Sequence, residues 1–600
     1  MASDKPQAEA MAVHHEDIIH HNVVGEERLD PHIRDDHGDP HRAALEDIDG
    51  TKKVTKSTWA AVFFLGFTFQ PALTFTILCC FPILGPISLE LQGNTNNANW
   101  MASGWSLAGS VSFAIAGQLS DYFGRRYILL FGQALLILGH LVGATAYSVN
   151  QGIAAMVLLG FGTGTTFVLY PGISELLPNK HRSLGLAWTE MNILPFTTFG
   201  PLIARALLKN ATWRWVYILG VITAVISFVG TAIFYIPPTK PLRDITRRQL
   251  MAELDYVGIV LYTAGLTLLL FGLGRGGVSA PWKSAQVLVP LILGAVVFSL
   301  TFFWDFYGPV KRPLFPLRLF RKMRDYTSLL VIIFVTGLVY FSMTALIPTQ
   351  ISDMFTSDPI RAGLYNIPGG FGGAAGGAII GSFMAKIKHV HLQLVFGIAM
   401  QTLFAGLFAL ATPDRLGMTI AFQLLANIPF SWITLICYVT ASLNVPQRDL
   451  GLALGLIGTF RFLGGAIGTT IFDTILNNKA QTDIPPRVLQ FVEPLHFPAS
   501  KIPGLVTALS DQDASALSTY SQAVIDAGVQ GMRWGYSDAY RITWIASIPF
   551  GIIATLIAVG VPDVSPYFTS HTAVTMEKER LDGRHQHVDV EGEQKGMALV

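Results

Sequence analysis

Long apolar segments, separated by short polar turns, run through most of this 600-residue chain. Each segment is close to the roughly 20 residues that a helix needs to cross a bilayer. We place them at 59–83, 101–119, 127–147, 152–173, 184–206, 216–236, 256–274, 286–307, 326–348, 361–384, 391–411, 417–441, 450–475 and 541–561. The pattern predicts an all-α integral membrane protein with fourteen transmembrane helices and both termini on the same side of the lipid bilayer.

Lysine and arginine are concentrated in every second turn of this pattern. Arg125 and Arg126 follow the second segment and Arg448 follows the twelfth, whereas the turn at 84–99 holds no basic residue. Because cytoplasmic loops carry an excess of Lys and Arg, the alternation predicts that both termini are cytoplasmic. A wrong number of spans would disturb this alternation.

The composition agrees with a multi-pass membrane protein. Apolar residues make up 51% of the chain, charged residues 14%, and the mean hydropathy is +0.46. The net charge of +1 gives no indication of nucleic-acid binding. The chain holds no nucleotide-binding glycine loop and no constellation of metal ligands or nucleophiles, so we predict neither an enzyme nor a cofactor or metal site.

Two similar stretches suggest an internal repeat. Leu177-Pro178-Asn-Lys-His-Arg182-Ser-Leu-Gly185 opens the fifth span, and Val445-Pro446-Gln-Arg448-Asp-Leu-Gly451 opens the thirteenth. Repeated turns of this kind are typical of two-bundle transporters whose binding site lies between the bundles. We therefore predict a disordered tail at 1–56, a six-helix bundle at 57–236, a linker with two additional spans at 237–325, a second six-helix bundle at 326–561 and a tail at 562–600.

The second bundle includes a polar stretch at 477–540, which we predict to be a long loop on the outside. A loop of this length in a compact protein is commonly functional or disordered. It could serve as a lid, as a surface that recruits substrate, or as an inert covering, and it could contain short amphipathic helices at about 504–530.

The turn between the second and third spans carries the strongest motif, Gly117-Gln-Leu-Ser-Asp121-Tyr-Phe-Gly124-Arg125-Arg126. It resembles the signature Gly-x-Leu-Ala-Asp-Arg-x-Gly-Arg-Lys of the major facilitator superfamily. The resemblance implies two bundles that rock against each other, held in the outward-facing state by a conformational latch. The predicted latch consists of Gly117, Asp121, Gly124, Arg125 and Arg126. Gly381–Lys388 resembles a degenerate second copy of this motif.

Within that superfamily the chain is most similar to the fungal fourteen-span drug:proton antiporters, and among them to the trichothecene efflux pump type. Gly200-Pro201-Leu-Ile-Ala204 resembles the core of a signature of exporters, and Trp213-Arg214-Trp215-Val-Tyr217 is typical of the fourteen-span branch. The run Met156–Gly164 lacks the Arg that relatives usually carry in span four. The resemblance implies proton-driven transport in the plasma or the vacuolar membrane.

Ionisable side chains inside spans are costly, so they are candidates for function. Glu190 in span five and Arg461 in span thirteen are our candidates for proton coupling. The alternative for Glu190 is a hydrogen-bonded structural side chain near the cytoplasmic rim. Arg461 could instead bind an anionic group of the substrate, pair with a carboxylate, or bond to backbone carbonyls.

Aromatic walls with a few amides suit a bulky, mostly apolar ligand. The candidates for such a cavity are Gln70, Tyr170, Trp188, Asn192, Tyr340, Gln350, Trp432 and Tyr438. Two pairs are predicted to pack helices closely, Gly200 with Pro201 and Gly464 with Gly465. Asn210, in the sequon Asn210-Ala-Thr212, is a candidate for glycosylation.

The leading hypothesis is a monomeric, proton-coupled exporter of apolar toxins, drugs or secondary metabolites, with a small-molecule substrate and protons as partners. The alternative is an importer of siderophore-iron complexes with protons, since the 477–540 stretch also resembles the last outside loop of fungal siderophore transporters. A third hypothesis is a nutrient sensor that does not transport, although such sensors usually carry a longer cytoplasmic tail.

Overall fold

The computed structural model describes residues 54–93, 95–237, 248, 252–276, 280–356, 358–511 and 514–574. Nearly all of the predicted N-terminal tail (1–56) and much of the predicted C-terminal tail (562–600) lie outside the described residues, as does most of the stretch at 238–251.

The described residues are almost entirely helical. The principal helical segments are α1 Lys56–Glu90, α2 Thr95–Phe123, α3 Arg125–Ala144, α4 Val149–Leu176, α5 Asn179–Asn210, α6 Arg214–Phe234, α7 Tyr256–Arg275, α8 Ala285–Tyr307, α9 Met323–Met354, α10 Pro359–Ala375, α11 Val390–Leu410, α12 Leu416–Asn444, α13 Leu450–Val492 and α14 Gln522–Val559. Twelve helices in the described part of the chain are long and apolar enough to cross a membrane. The predicted all-α membrane class is confirmed.

Helices α2 and α10 are not among those twelve. Both are rich in small and polar residues, as the sequence of α10 (PIRAGLYNIPGGFGGAA) illustrates. They nevertheless pack between the apolar helices, α2 against α4 and α13, and α10 against α5 and α12. The count of fourteen transmembrane helices therefore stays a prediction.

We refer to α1–α6 as the N-terminal bundle and to α9–α14 as the C-terminal bundle. They meet along two lines of contact, α2 with α13 and α5 with α10. Backbones approach closely there: a Cβ atom on Gly370 of α10 would lie 2.1 Å from the carbonyl oxygen of Thr197 in α5. Helices α7 and α8 pack against each other, and α7 also contacts α2 and α13. Small residues thus set the distance between the bundles.

Inside the N-terminal bundle, α1 widens into a π-helix at Gln70–Leu78, with Pro71 near its start. Proline cannot donate a backbone hydrogen bond, and π-helical turns are rare within α-helices. The carbonyl oxygen of Pro71 accepts a hydrogen bond from Thr76 Oγ1 at 2.8 Å, and His140 Nε2 lies 2.9 Å from it. His140 is fully buried and belongs to the packing of this bundle.

The stretch at 477–540 differs from the predicted long loop. Helix α13 has 43 residues and continues to Val492 through Pro485 and Pro486. At 1.5 Å per residue it is about 64 Å long, roughly twice the hydrocarbon thickness of a bilayer. The first part of α14 packs against the C-terminal part of α13. Cβ atoms on Gly531 and Gly535 would lie 2.6 Å from Val488 Cα and 2.7 Å from Ile484 Cα.

The resulting helical hairpin has an apolar cluster of its own, formed by Ile484, Val488, Val492, Ile502, Leu505, Val524 and Met532. The non-helical connection is much shorter than the predicted loop, and the short helix Ile502–Asp511 within it overlaps the stretch at about 504–530 where amphipathic helices were predicted. The sequence resembled a loop because a helix that packs through one face needs apolar residues only on that face. The polar residues of the stretch belong to the other face.

Alternate turns are joined at one end of the molecule. Lys322 Nζ donates to the carbonyl of Asn444 at 3.0 Å, and Gln118 Nε2 donates to the carbonyl of Pro313 at 3.0 Å. Arg182 Nη1 donates to the carbonyl of Ser442 at 2.9 Å. The turns that follow α2, α4, α8 and α12 therefore lie together, as successive membrane crossings require. We call this the latch end.

Candidate functional site

The carboxylate of Asp121, near the C-terminus of α2, binds the start of α13. It accepts hydrogen bonds from the backbone N–H groups of Gly451 at 2.9 Å and Leu452 at 2.8 Å. The first N–H groups of a helix have no partner within the helix, and the helix dipole makes this end positive. Asp121 therefore caps a helix of the opposite bundle and holds the two bundles together.

Arg125 orients this carboxylate. Its Nη2 atom lies 3.3 Å from Asp121 Oδ1 and 2.5 Å from Glu175 Oε1, and all three side chains are almost completely buried. Gln447, in the turn before α13, donates a hydrogen bond to the same Glu175 oxygen. Glu175 thus connects Arg125 of the N-terminal bundle to a turn of the C-terminal bundle.

The other latch residues support the turn itself. Gly124 has φ = 94°, a conformation that favours glycine, and it precedes the first residue of α3. Arg126 Nη2 donates to the carbonyl of Ala232 at 2.8 Å and so ties the turn to α6. A Cβ atom on Gly117 would lie 2.4 Å from the carbonyl oxygen of Gly451, so this position admits only glycine while the bundles are in contact.

A stacked pair of tyrosines joins the two bundles. Tyr170 of α4 and Tyr438 of α12 lie with ring centroids 4.0 Å apart and ring planes 3° from parallel. The Tyr438 hydroxyl is buried and has no hydrogen-bond partner among the described residues. The two bundles are therefore in direct contact here through a pair of stacked aromatic rings.

A second aromatic stack lies in the C-terminal bundle and carries a cation. Tyr340 and Phe430 stack with centroids 3.4 Å apart, and the guanidinium carbon of Arg461 lies 4.5 Å from the centroid of Phe430. This distance is within the range of a cation–π interaction. Arg461 Nε is buried without a hydrogen-bond partner in the described part of the chain, so the guanidinium keeps donor capacity.

Glu190 of α5 faces this stack from the opposite bundle. A Cβ atom on Gly377 would lie 3.0 Å from Glu190 Cγ, and one on Gly373, one helical turn earlier, would lie 2.6 Å from the Tyr340 hydroxyl. Glu190 and Tyr340 therefore lie beside neighbouring turns of one glycine-rich segment. We call Tyr170, Glu190, Tyr340, Tyr438 and Arg461 the central cluster.

The Glu190 carboxylate has electrostatic interactions with Arg461 and with the tyrosines of the central cluster. It makes no hydrogen bond, and no ion pair within 4.0 Å, to any described residue. Its side chain is 6% exposed. The alternative of a hydrogen-bonded structural glutamate therefore finds no partner among the described residues, and the role of Glu190 in proton coupling stays a prediction.

The other five predicted cavity residues each contact residues of their own bundle, and three of them lie in the N-terminal bundle. Gln70 Nε2 donates to the Asn192 carbonyl at 2.6 Å, and Asn192 Nδ2 donates to the Gly66 carbonyl at 3.0 Å, which joins α1 to α5. Trp188 stacks on Phe63 with centroids 5.1 Å apart. The structure therefore brings Tyr170, Tyr340 and Tyr438 together with Glu190 and Arg461, but not these three side chains.

The remaining two belong to the interior of the C-terminal bundle. Gln350 Oε1 accepts a hydrogen bond from Trp544 Nε1 at 3.0 Å. Trp432 Nε1 donates to Gln393 Oε1 at 3.2 Å. These bonds satisfy buried polar atoms, as expected for side chains that join neighbouring helices.

The packing residues lie at close helix contacts. Cβ atoms on Gly464 and Gly200 would lie 2.0 Å from the carbonyl oxygen of Phe334 and 3.0 Å from that of Leu78, and one on Gly465 would meet the Phe341 ring at 2.4 Å. Pro201 lies inside α5. Asn210 is the last residue of α5 and is exposed, and its glycosylation stays a prediction.

Several residues that form the site were not predicted from the sequence. Glu175 precedes the repeated Leu177-Pro178 stretch, and a carboxylate at the end of an apolar span was a usable signal for it. Gly377 and Phe430 gave no such signal, because glycine and phenylalanine are abundant throughout the spans.

Comparison with known proteins shows which family this chain belongs to. A family model described as fungal trichothecene efflux pump (TRI12) matches residues 34–597. The trichothecene efflux pump TRI12 of Fusarium sporotrichioides is 25% identical over 537 residues, which cover 88% of this chain and 89% of the relative. The MFS-type transporter prx5 of Penicillium rubens is 27% identical over 548 residues, covering 90% and 97%.

Among solved structures, the major facilitator superfamily proton:xylose symporter XylE matches with a TM-score of 0.51 and 14% identity. The match covers 87% of this chain and 99% of the symporter. This likeness concerns the fold alone.

Proposed function

Because this chain belongs to the fungal trichothecene efflux pump family of the major facilitator superfamily, we propose that it exports apolar toxins, drugs or secondary metabolites by proton-coupled alternating access. The central cluster is the observation that carries the proposal. It combines aromatic surfaces with one carboxylate and one guanidinium, between two bundles that are in contact at the latch end. The relatives named above include an efflux pump.

The tyrosine stack supports an apolar, bulky substrate. Tyr170 and Tyr438 come from opposite bundles, so their rings separate whenever the bundles move apart. A substrate with a flat apolar face then replaces one ring as the stacking partner of the other, and aromatic surface stays out of water. Loss of the substrate on the far side lets the two rings meet again.

The charges across the interface support proton coupling. Ionised Glu190 of the N-terminal bundle attracts the guanidinium of Arg461 in the C-terminal bundle. A proton on Glu190 removes this attraction, which is strong in a site with little water. The protonation state of Glu190 therefore biases how closely α5 and α13 approach, and this links proton movement to the opening of one end.

We also propose that the latch end faces the cytoplasm and that the protein acts as a monomer in the plasma or vacuolar membrane. The basic residues that surround the latch end, Arg125, Arg126, Lys180 and Arg182, support this orientation, because cytoplasmic turns are enriched in Lys and Arg. In this orientation both termini are cytoplasmic.

Transport into sealed vesicles with an imposed pH gradient tests the proposal. We expect at least one apolar toxin in a panel to move against its concentration gradient, and its rate to rise with the pH gradient. Glu190→Gln should transport at a rate that no longer depends on the pH gradient. Glu493→Gln, which changes an exposed glutamate near the end of α13, is the matched control and should keep the dependence.

The same panel should contain siderophore-iron complexes. The siderophore alternative depended on a long outside loop at 477–540, whereas the structure has helices over most of that stretch. Uptake of siderophore-iron in preference to every toxin would reverse the proposed direction and substrate class. A pH dependence that survives Glu190→Gln would place the proton on another group.

A further inference from the structure

The segment that follows α14, residues 563–574, lies across the latch end, and we call it the strap. Its first part is fixed to the C-terminal bundle. The N–H group of Val390, at the start of α11, donates to Ser565 Oγ at 3.1 Å, and Asp563 Oδ1 accepts from the N–H group of Ser565 at 3.1 Å. Ser565–Tyr567 then forms a single 3₁₀ turn.

The second part of the strap is fixed to the N-terminal bundle. The N–H group of Lys180 donates to the Thr569 carbonyl at 3.0 Å, and the N–H group of Asn179 donates to the His571 carbonyl at 3.0 Å. Lys180 Nζ also donates to Ser570 Oγ at 2.6 Å. Asn179 and Lys180 open α5, where N–H groups have no partner within the helix, so the strap caps this helix from outside.

The strap also reaches the residue that supports the latch. The N–H group of Val574 donates to the backbone carbonyl of Glu175 at 3.1 Å, and the Glu175 side chain is the ion-pair partner of Arg125. Ala573 and Val574 are buried there. The strap and the latch therefore hold the same end of α4, one through its backbone and the other through its side chain.

We propose that the strap is a conformational clasp, which joins the two bundles while the latch end is closed and releases the start of α5 when that end opens. Its length carries the argument. Only three residues lie between the anchor at Ser565 and the anchor at Thr569, so the two anchors are four residue steps apart. Four residue steps extend to about 14 Å at most. The anchors cannot separate beyond that reach unless the hydrogen bonds to Asn179 and Lys180 break.

Cross-linking in the full-length transporter tests the clasp, which rests on the alternating access proposed above. Cysteines at Lys180→Cys and Ser570→Cys, joined by a short cleavable bis-maleimide, keep the strap attached to α5. The native cysteines Cys79, Cys80 and Cys437 are buried. We expect the cross-linked protein to transport at least tenfold more slowly than the same variant before cross-linking, and cleavage of the linker to restore the rate.

A matched pair within one bundle is the control. His389 and Pro566 are exposed neighbours of the bonded pair Val390 and Ser565. His389→Cys with Pro566→Cys joins the strap to its own bundle, where no separation is required, so transport should stay within twofold after cross-linking. Unchanged transport after the Lys180–Ser570 cross-link would overturn the clasp. An equal loss from both pairs would also overturn it, because the effect would then come from the strap itself and not from the bridge.

A second measurement needs no substrate. Ser442→Cys lies opposite Arg182 at the latch end, where a water-soluble maleimide reaches it only when the bundles part. We expect Lys180→Ala to speed its labelling severalfold and the Lys180–Ser570 cross-link to slow it at least tenfold. Labelling that responds in this way supports the clasp even where no substrate of the panel is transported, whereas labelling unaffected by both changes would overturn it.

Discussion

Asp121→Asn separates the charge of the latch from its shape. The side chain is 2% exposed and accepts hydrogen bonds from two N–H groups at the start of α13. An amide of nearly the same size has one oxygen and one NH₂ group, so it can accept from only one side. One of the two N–H groups then loses its partner, and Arg125 loses one of its two carboxylates.

The magnitude follows from the strength of charge-assisted hydrogen bonds. A hydrogen bond to a charged group contributes about 1.5–3 kcal/mol, against about 0.5–1.5 kcal/mol for a neutral pair. Weakening one bond and losing the other therefore costs about 2–4 kcal/mol of the free energy that favours the closed latch end. At about 1.4 kcal/mol per factor of ten, the equilibrium shifts about 30-fold to several hundredfold toward the open state.

Labelling of Ser442→Cys measures this equilibrium directly. Asp121→Asn in that background should raise the labelling rate by at least tenfold and slow transport, since a carrier biased to one state completes its cycle slowly. The amount of protein in the membrane should not change. Asp414→Asn, which alters an exposed aspartate in the turn before α12, should match the parent in both measurements.

One result would refute this reasoning. If Asp121→Asn is folded, present in the membrane and labelled within twofold of the parent, then the two hydrogen bonds to α13 do not stabilise the closed state. The charge of Asp121 would in that case matter only for the local turn, and the contact with Gly451 and Leu452 would be a consequence of packing.

Two further substitutions probe the contact surfaces. Gly117→Ala places a methyl group 2.4 Å from the carbonyl oxygen of Gly451, a backbone atom that cannot rotate away. We therefore expect faster Ser442→Cys labelling and at least tenfold slower transport. Gly85→Ala, where a Cβ atom meets nothing within 4 Å, should change neither, and equal behaviour of the two variants would contradict the role of close packing. Tyr438→Phe keeps the stack on Tyr170 and loses a hydroxyl without a partner, so KM should stay within twofold. Tyr438→Ala removes an aromatic contact of about 0.5–1.5 kcal/mol, so KM should rise about two- to tenfold or more, and an unchanged KM would remove the stack from the substrate pathway.

Much of the fold was accessible from the sequence, because its cause is local. A backbone in hydrocarbon must satisfy its own hydrogen bonds, so a run of about 20 apolar residues has to be helical whatever surrounds it. The motif from Gly117 to Arg126 is local in the same sense. Glycine permits the turn at Gly124, and the four-residue spacing brings Asp121, near the end of α2, next to Arg125, the first residue of α3.

The extent of α13 was not accessible in this way. Beyond residue 475 the helix leaves the apolar pattern, and Pro485 and Pro486 indicate a break. The helix nevertheless continues because α14 packs against it through Gly531 and Gly535, more than 40 residues later in the chain. A partner at that distance in sequence leaves no signal in the stretch itself.

The central cluster shows the same division. The sequence alone identified Glu190 and Arg461, because an ionisable residue in an apolar span is conspicuous wherever it faces. It could not decide that Glu190 faces Gly377 and the tyrosines while Trp188, two residues away, stacks on Phe63. Two positions on a helix differ by about 200° in direction, and only the packing of α5 against α1 on one side and α10 on the other determines which direction is the interface.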